Sequence, residues 1–268
     1  MLLKNKNAII YGAGGSMPGA VAKALAAAGA KVYLTGLHLA SVKKLADEII
    51  ASGGYAEADE VDAMDEQAIN SHIKKVVNIA GTIDISFNAI ALQDSQGTPL
   101  VDMAMADFVR PINIAVQTHF LTATAATRVM IKQQSGVVLM LTATPAAIAY
   151  PFVGGFGTAC CAMENFSKHL ASEVGQFGVR VVNIRSGGSP DSRVFKKAIS
   201  QSPEIVNPIL QKMEEDTMLK KLPLMADIAN AAVFLSSDMA AKITGTTIDL
   251  TCGTTAGLNY KVNVIPFK

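Results

Sequence analysis

The segment Ile10-Tyr11-Gly12-Ala13-Gly14-Gly15-Ser16-Met17-Pro18-Gly19-Ala20 decides the fold. An apolar run over residues 8–11 enters it as a strand. An alanine-rich stretch over 19–28 leaves it as a helix, with Gly29 at the C′ position. The glycines between permit positive φ and let backbone approach a ligand with no Cβ in the way. Pro18 suits a first helical turn, where a missing N–H costs nothing. Free N–H groups and the dipole at such a helix mouth favour a phosphate. A strand, glycine turn and helix in this order point to a bound dinucleotide. The plainer alternative is a tight turn with no ligand.

Beyond that segment, short apolar runs alternate with helical patterns. Strands are expected at 31–35, 55–61, 84–88, 136–142, 179–184 and 246–250. Helices are expected at 39–52, 66–79, 107–133, 157–176 and 227–236, with Pro111 near the start of the 107–133 helix. This alternation requires right-handed crossovers and a parallel sheet, so the expected class is α/β: a doubly wound (Rossmann) sheet of about seven strands with helices on both faces. The strands are apolar on both sides, as strands buried between helix layers should be. With no linker or repeat, residues 1–268 are read as one domain. The polar, proline-containing stretch 189–223 breaks the alternation after the sixth strand, where ligands bind in open α/β sheets. It is read as a lid of one or two helices, against the alternative of a surface excursion without a substrate role.

Composition narrows the function. Half of the 268 residues are hydrophobic and 17% are charged, with a net charge of +1. No basic block indicates nucleic acid. No run approaches the ~18 consecutive apolar residues of a membrane span. The mean hydropathy of +0.32 is high, so surplus apolar surface is assigned to subunit contacts. Three cysteines without framework spacing argue against a disulfide fold and against zinc. With no signal-peptide pattern at the N-terminus, a cytoplasmic protein is expected.

The end of the second strand bears on the adenosine ribose. An acid there would bind the 2′-hydroxyl and repel a 2′-phosphate. The run Tyr33-Leu34-Thr35-Gly36-Leu37-His38 holds none, which tilts the expected cofactor toward NADP over NAD. No arginine stands there to clasp a phosphate; only His38 and Lys43 are near.

Over nearly the whole chain the order of elements resembles the short-chain dehydrogenase/reductase superfamily. Gly12 to Gly19 resembles its T-G-x-x-x-G-x-G turn, with Tyr11 for threonine and one extra residue before the last glycine. Asp62 sits where the family contacts adenine, and Asn88-Ala89-Ile90-Ala91 stands in for N-N-A-G. Ser186-Gly187-Gly188-Ser189 and Ser192 fall where the family approaches the nicotinamide, and Ile243-Thr244-Gly245 with Thr251-Cys252-Gly253 resembles its closing motif. The cofactor residues implied are Gly12, Gly14, Gly15, Ser16, Gly19, Asp62, Asn88, Ala89, Gly188 and Ser192. The family's asparagine, serine, tyrosine and lysine align with Ala115, Ala143, Phe156 and Cys160. Phenylalanine has no proton to give a carbonyl oxygen, and cysteine supplies no fixed positive charge.

Nearby groups remain as catalytic candidates: Thr142, Thr144, Tyr150 and Arg185. Arg185 either binds an anionic substrate, replaces the lost charge, or pairs with a local carboxylate. Cys160 is a packing residue or a thiol nucleophile, and His119 a core or interface residue before a catalytic one. The resemblance also implies a homodimer or homotetramer built on the 107–133 and 157–176 helices. Three functions stay open: an NADP(H)-dependent oxidoreductase with a rearranged proton donor, a dinucleotide-binding module without chemistry, and a non-redox enzyme on the same fold. The small-molecule substrate is left unnamed.

Overall fold

The computed structural model describes residues 1–257; the remainder of the expected single domain, 258–268, lies outside that range. Seven strands form one sheet: β1 (Asn7–Tyr11), β2 (Lys31–Gly36), β3 (Tyr55–Glu60), β4 (Ile85–Asn88), β5 (Gly136–Ala143), β6 (Val179–Ser186) and β7 (Thr246–Leu250). Their order is β3-β2-β1-β4-β5-β6-β7, and every neighbouring pair is parallel. The chain builds outward from β1 to β3, then returns to β4 on the other side of β1. That reversal is the switch point at which open α/β sheets bind ligands.

Period-2 alternation divides the strand side chains between two cores. Ile10, Leu34, Phe87, Leu139 and Ile184 pack against α1 (Ser16–Ala27), α2 (Leu39–Ala51) and α8 (Met225–Ser236). Ile9, Tyr11, Tyr33, Val138 and Val181 face α3 (Glu66–Ala80), α4 (Met105–Gln133) and α5 (Gly155–Val174). The stretch 189–223 folds into two short helices, α6 (Arg193–Gln201) and α7 (Pro203–Glu215).

Element ends differ from the sequence expectation by small, explicable amounts. α1 starts at Ser16 rather than at residue 19, so Pro18 is the third helical residue, still inside the turn that needs no N–H. β6 runs two residues past its expected end, because Arg185 and Ser186 pair with Thr142 and Ala143 on one side and with Asp249 and Leu250 on the other. α4 and α5 approach closely at their N-terminal ends, where a Cβ on Gly155 would lie 1.8 Å from the Phe108 carbonyl oxygen. Only glycine fits there, and this contact fixes where α5 carries Phe156 and Cys160.

Gly155→Ala forces backbone apart and is expected to cost about 3 kcal/mol, the upper end of ordinary overpacking. Chemical denaturation with unchanged slope checks this. A variant as stable as the parent would show that the α4–α5 approach is not a constraint.

Candidate functional site

The glycine turn sits at the switch point. Gly12 has φ +72°, and a Cβ on it would fall 3.1 Å from the Ile90 Cα in the segment following β4. The turn is tied down by Ala13 N–H to the Thr35 carbonyl (2.9 Å) and Gly15 N–H to the Gly12 carbonyl (3.0 Å). The mouth of α1 has neither a side-chain cap nor an acid in its first turn. Its partial positive charge therefore has no counter-group from the capping residue or from the first turn. A cavity of about 260 Å³ opens beside it, lined in part by Gly14, Gly15, Ser16 and Gly19. Uncapped amides, a turn without Cβ atoms and an adjacent hollow fit the diphosphate of a dinucleotide.

The other cofactor residues expected from the sequence surround this point. Asn88 is buried; its Nδ2 donates to Thr122 Oγ1 (3.0 Å) and its Oδ1 accepts from Ile90 N–H (3.0 Å). It shapes the turn through Ala89 that passes Gly12. Asp62 is exposed after β3, its Oδ1 accepting from Met64 N–H at 2.8 Å. Gly188 underlies the α6–α7 segment, since a Cβ there would meet Met213 at 2.6 Å and Phe195 at 2.9 Å. Ser192 caps α6. The next residue, Arg193, touches the glycine turn itself: its N–H donates to Ser16 Oγ (3.1 Å) and its guanidinium to the Gly14 carbonyl (3.2 Å). Sequence reading missed this contact, which spans most of the chain's length.

The end of β2 is not free of acid in space. Glu60, the last residue of β3, stands in register with Gly36, and its carboxylate accepts the Leu39 N–H at 3.0 Å. The sequence reading looked for an acid on β2 alone and so missed one delivered by the neighbouring strand.

The four catalytic candidates separate into two groups. Arg185 donates from Nε to Glu164 Oε1 (2.9 Å), from Nη2 to Glu164 Oε2 (2.5 Å) and from Nη1 to Asp249 Oδ2 (3.0 Å). Pairing with Glu164 raises its pKa further. Thr142 donates to Glu164 Oε1 (2.9 Å) and accepts from Asn183 Nδ2 (2.6 Å). Thr142 and Arg185 are both engaged by Glu164, one helical turn beyond Cys160. Thr144 and Tyr150 lie apart from that network. Thr144 is buried just past the end of β5, and Tyr150 lies half-buried six residues further on. Burial pushes the Tyr150 phenol above its ordinary value; Thr144 pulls it down, Asp216 raises it and Lys212 of α7 lowers it.

Ala115, Ala143, Phe156 and Cys160 do come together, in one small apolar cluster with Ala159 and Met163. Burial pushes the Cys160 thiol up to about 12, with a backbone hydrogen bond from Ala143 opposing, so it is no thiolate at neutral pH. His119 is buried in α4 with Nδ1 3.1 Å from the Ala115 carbonyl, and burial pushes it down to about 4. It is a neutral core residue at pH 7. Among the described residues no group of three His, Cys, Asp or Glu could hold a metal ion, and no helix is long and apolar enough to cross a membrane.

Two outcomes follow from these partners. Glu164→Leu leaves the Arg185 guanidinium with Asp249 alone and is expected to cost about 3 kcal/mol, much of it regained in Glu164→Leu/Arg185→Met. Urea unfolding of both variants measures this, and a harmless single variant would contradict it. For His119 the folded state resists the proton that the unfolded chain accepts near pH 6.5. Its contribution to stability is thus complete above that pH and is lost as pH falls toward 4. His119→Gln is expected to flatten the fall in melting temperature across this window; an unchanged slope would overturn the assignment.

Comparison with known proteins agrees with this geometry. The family model described as enoyl-(acyl carrier protein) reductase matches residues 12–255. The 7alpha-hydroxysteroid dehydrogenase of Escherichia coli (strain K12) is 29% identical over 258 residues, covering 96% of this chain and 97% of that protein. The structure of a 7 alpha-hydroxysteroid dehydrogenase complexed with NADH and 7-oxo glycochenodeoxycholic acid superposes with a TM-score of 0.82 at 29% identity, covering 96% of each chain. An NAD+-bound xylitol dehydrogenase reaches a TM-score of 0.88 at 22% identity, covering 94% of this chain and 100% of that one, a likeness of fold. From its glycine turn to the segment after β7, the chain belongs to the short-chain dehydrogenase/reductase superfamily of oxidoreductases, within the family described as enoyl-(acyl carrier protein) reductase.

Proposed function

We propose that this chain is an NAD(P)(H)-dependent oxidoreductase in which Tyr150 supplies the substrate's proton. The carrying observation is the placement of its phenol: half-buried in the segment after β5 that begins at Thr144, facing the Lys212–Asp216 ion pair at the end of α7. In this reading the amides around Gly14, Gly15 and Ser16 hold the diphosphate, Gly12 and Gly19 give it room, and Asp62 meets the adenine. Asn88 and Ala89 shape the crevice, and Gly188 and Ser192 flank the nicotinamide. When bound, that ring supplies hydride to the substrate's electrophilic carbon.

Tyr150 then donates its O–H proton to the substrate oxygen, and Thr144 orients the phenol. A raised phenol stays protonated at neutral pH, as a donor for reduction must be. Lys212 reaches the same phenol while paired with Asp216, whose carboxylate helps keep the proton on Tyr150 until the substrate takes it. The α6–α7 segment acts as a lid, latched to the glycine turn through Arg193. The positions aligned with the family's own catalytic groups are apolar here, Ala115, Ala143, Phe156 and Cys160, which is why the donor must come from elsewhere. The same apolar cluster favours the second reading, a dinucleotide-binding module without turnover.

A subunit contact through α4 and α5 completes the proposal. Val116 (49% exposed) and Phe120 (51%) lie on the outside of α4, with the Phe166 ring of α5 6.0 Å from Phe120. A homodimer or homotetramer would bury this patch. A cytoplasmic setting is consistent with three free cysteines.

Tyr150→Phe is expected to lower the rate of NAD(P)H oxidation by roughly 10²–10⁴ on whichever ketone or thioester the wild type reduces, with nucleotide affinity unchanged. A variant within threefold of wild type would remove Tyr150 from the chemistry. Nucleotide binding without turnover on keto-steroid, 3-oxoacyl and enoyl thioester panels would favour the silent module. Size-exclusion with light scattering is expected to give two or four chains per particle; a clean monomer would contradict the contact.

A further inference from the structure

The choice between the two pyridine dinucleotides is made where β2 ends, since the 2′-position of the adenosine ribose lies there in a doubly wound fold. β2 ends on Gly36, which offers no side chain, and Leu37 and His38 follow. β3 runs parallel beside it and ends on Glu60, directly across from Gly36. The Glu60 carboxylate reaches over the bare glycine and accepts the N–H of Leu39, the first residue of α2, at 3.0 Å. His38 in the N-cap position gives α2 no side-chain hydrogen bond, so the carboxylate from the neighbouring strand takes that place. The dipole of α2 favours negative charge at this point, and Glu60 supplies it.

A 2′-phosphate brings close to two negative charges to the same spot. It meets Glu60 as a like charge and competes with it for the Leu39 N–H. The basic residues that follow β2 in sequence are His38, Lys43 and Lys44, none with a fork to clasp a phosphate, and the Arg193 guanidinium nearby is already donating to the Gly14 carbonyl at 3.2 Å. A ribose 2′-hydroxyl, by contrast, can donate a hydrogen bond to the carboxylate.

We infer that Glu60 makes this site selective for NAD(H) over NADP(H), reversing the preference expected from the β2 sequence. The inference rests on the nucleotide-binding reading above and deepens it. Glu60 does for this chain what an acid at the end of β2 does elsewhere, from one strand further along.

Calorimetric titration of the full-length protein with NADH and with NADPH tests it without reference to turnover. Wild type is expected to bind NADH at least about tenfold more tightly than NADPH at low salt. Added salt should shrink the difference, because Glu60 is exposed. Glu60→Gln keeps an acceptor for Leu39 and removes the charge; it is expected to bring the two affinities within about threefold. Glu60→Lys is expected to invert the order. Wild type binding NADPH as tightly as NADH, or an unchanged ratio in a folded Glu60→Gln, would overturn the inference while leaving nucleotide binding intact. Failure of both nucleotides to bind would overturn the underlying reading instead.

Discussion

Everything in this molecule that concerns a ligand depends on the close passage of two backbone segments at the switch point. Gly12 turns there with positive φ, and the Ile90 backbone crosses where a side chain on it would be. That passage brings the ends of β1 and β4 together and aims the open mouth of α1 into the crevice between them. Neither a capping side chain nor an acid of its own first turn satisfies that helix. The fold thus presents unsatisfied donors at a place where backbone, not side chain, forms the wall, and a phosphate is the chemical group such a place suits.

Around this fixed point several polar groups at the carboxyl end of the sheet are held in one network. The strand-end arginine and the first strand-end threonine are drawn to Glu164 on α5, and Asp249 of β7 joins them. This network ties three strands to a helix at the carboxyl end of the sheet. A carboxylate and guanidinium this enclosed would be costly alone, and each is held by the other. The space one turn nearer the α5 N-terminus is left apolar, with a small thiol and a phenyl ring.

Much of the fold was legible because strand burial and glycine placement are local signals. Residues 246–250 were read as a strand and are one, and the others shift at their ends by a residue or two. The larger shift, at α1, arose because helical geometry begins before the last glycine and passes through Pro18. The glycine turn was legible for the same local reason. What could not be read was partnership across the sheet. Glu60 looks like an unremarkable end to a polar edge strand until parallel register sets it opposite Gly36. Arg185 gives no hint in sequence of its two carboxylates, and Thr142 and Thr144, two residues apart, would share a face only if β5 continued past Ala143. Side-chain roles at strand ends follow from neighbours far away along the chain, and spacing carries no record of them.

The most direct examination of the account is a crystal structure of the protein grown with NADH. It should show the diphosphate oxygens within hydrogen-bonding distance of the backbone amides between Gly14 and Ser16, and the nicotinamide opening toward Thr144 and Tyr150. A nucleotide bound elsewhere, or one whose diphosphate makes no contact with the mouth of α1, would contradict it.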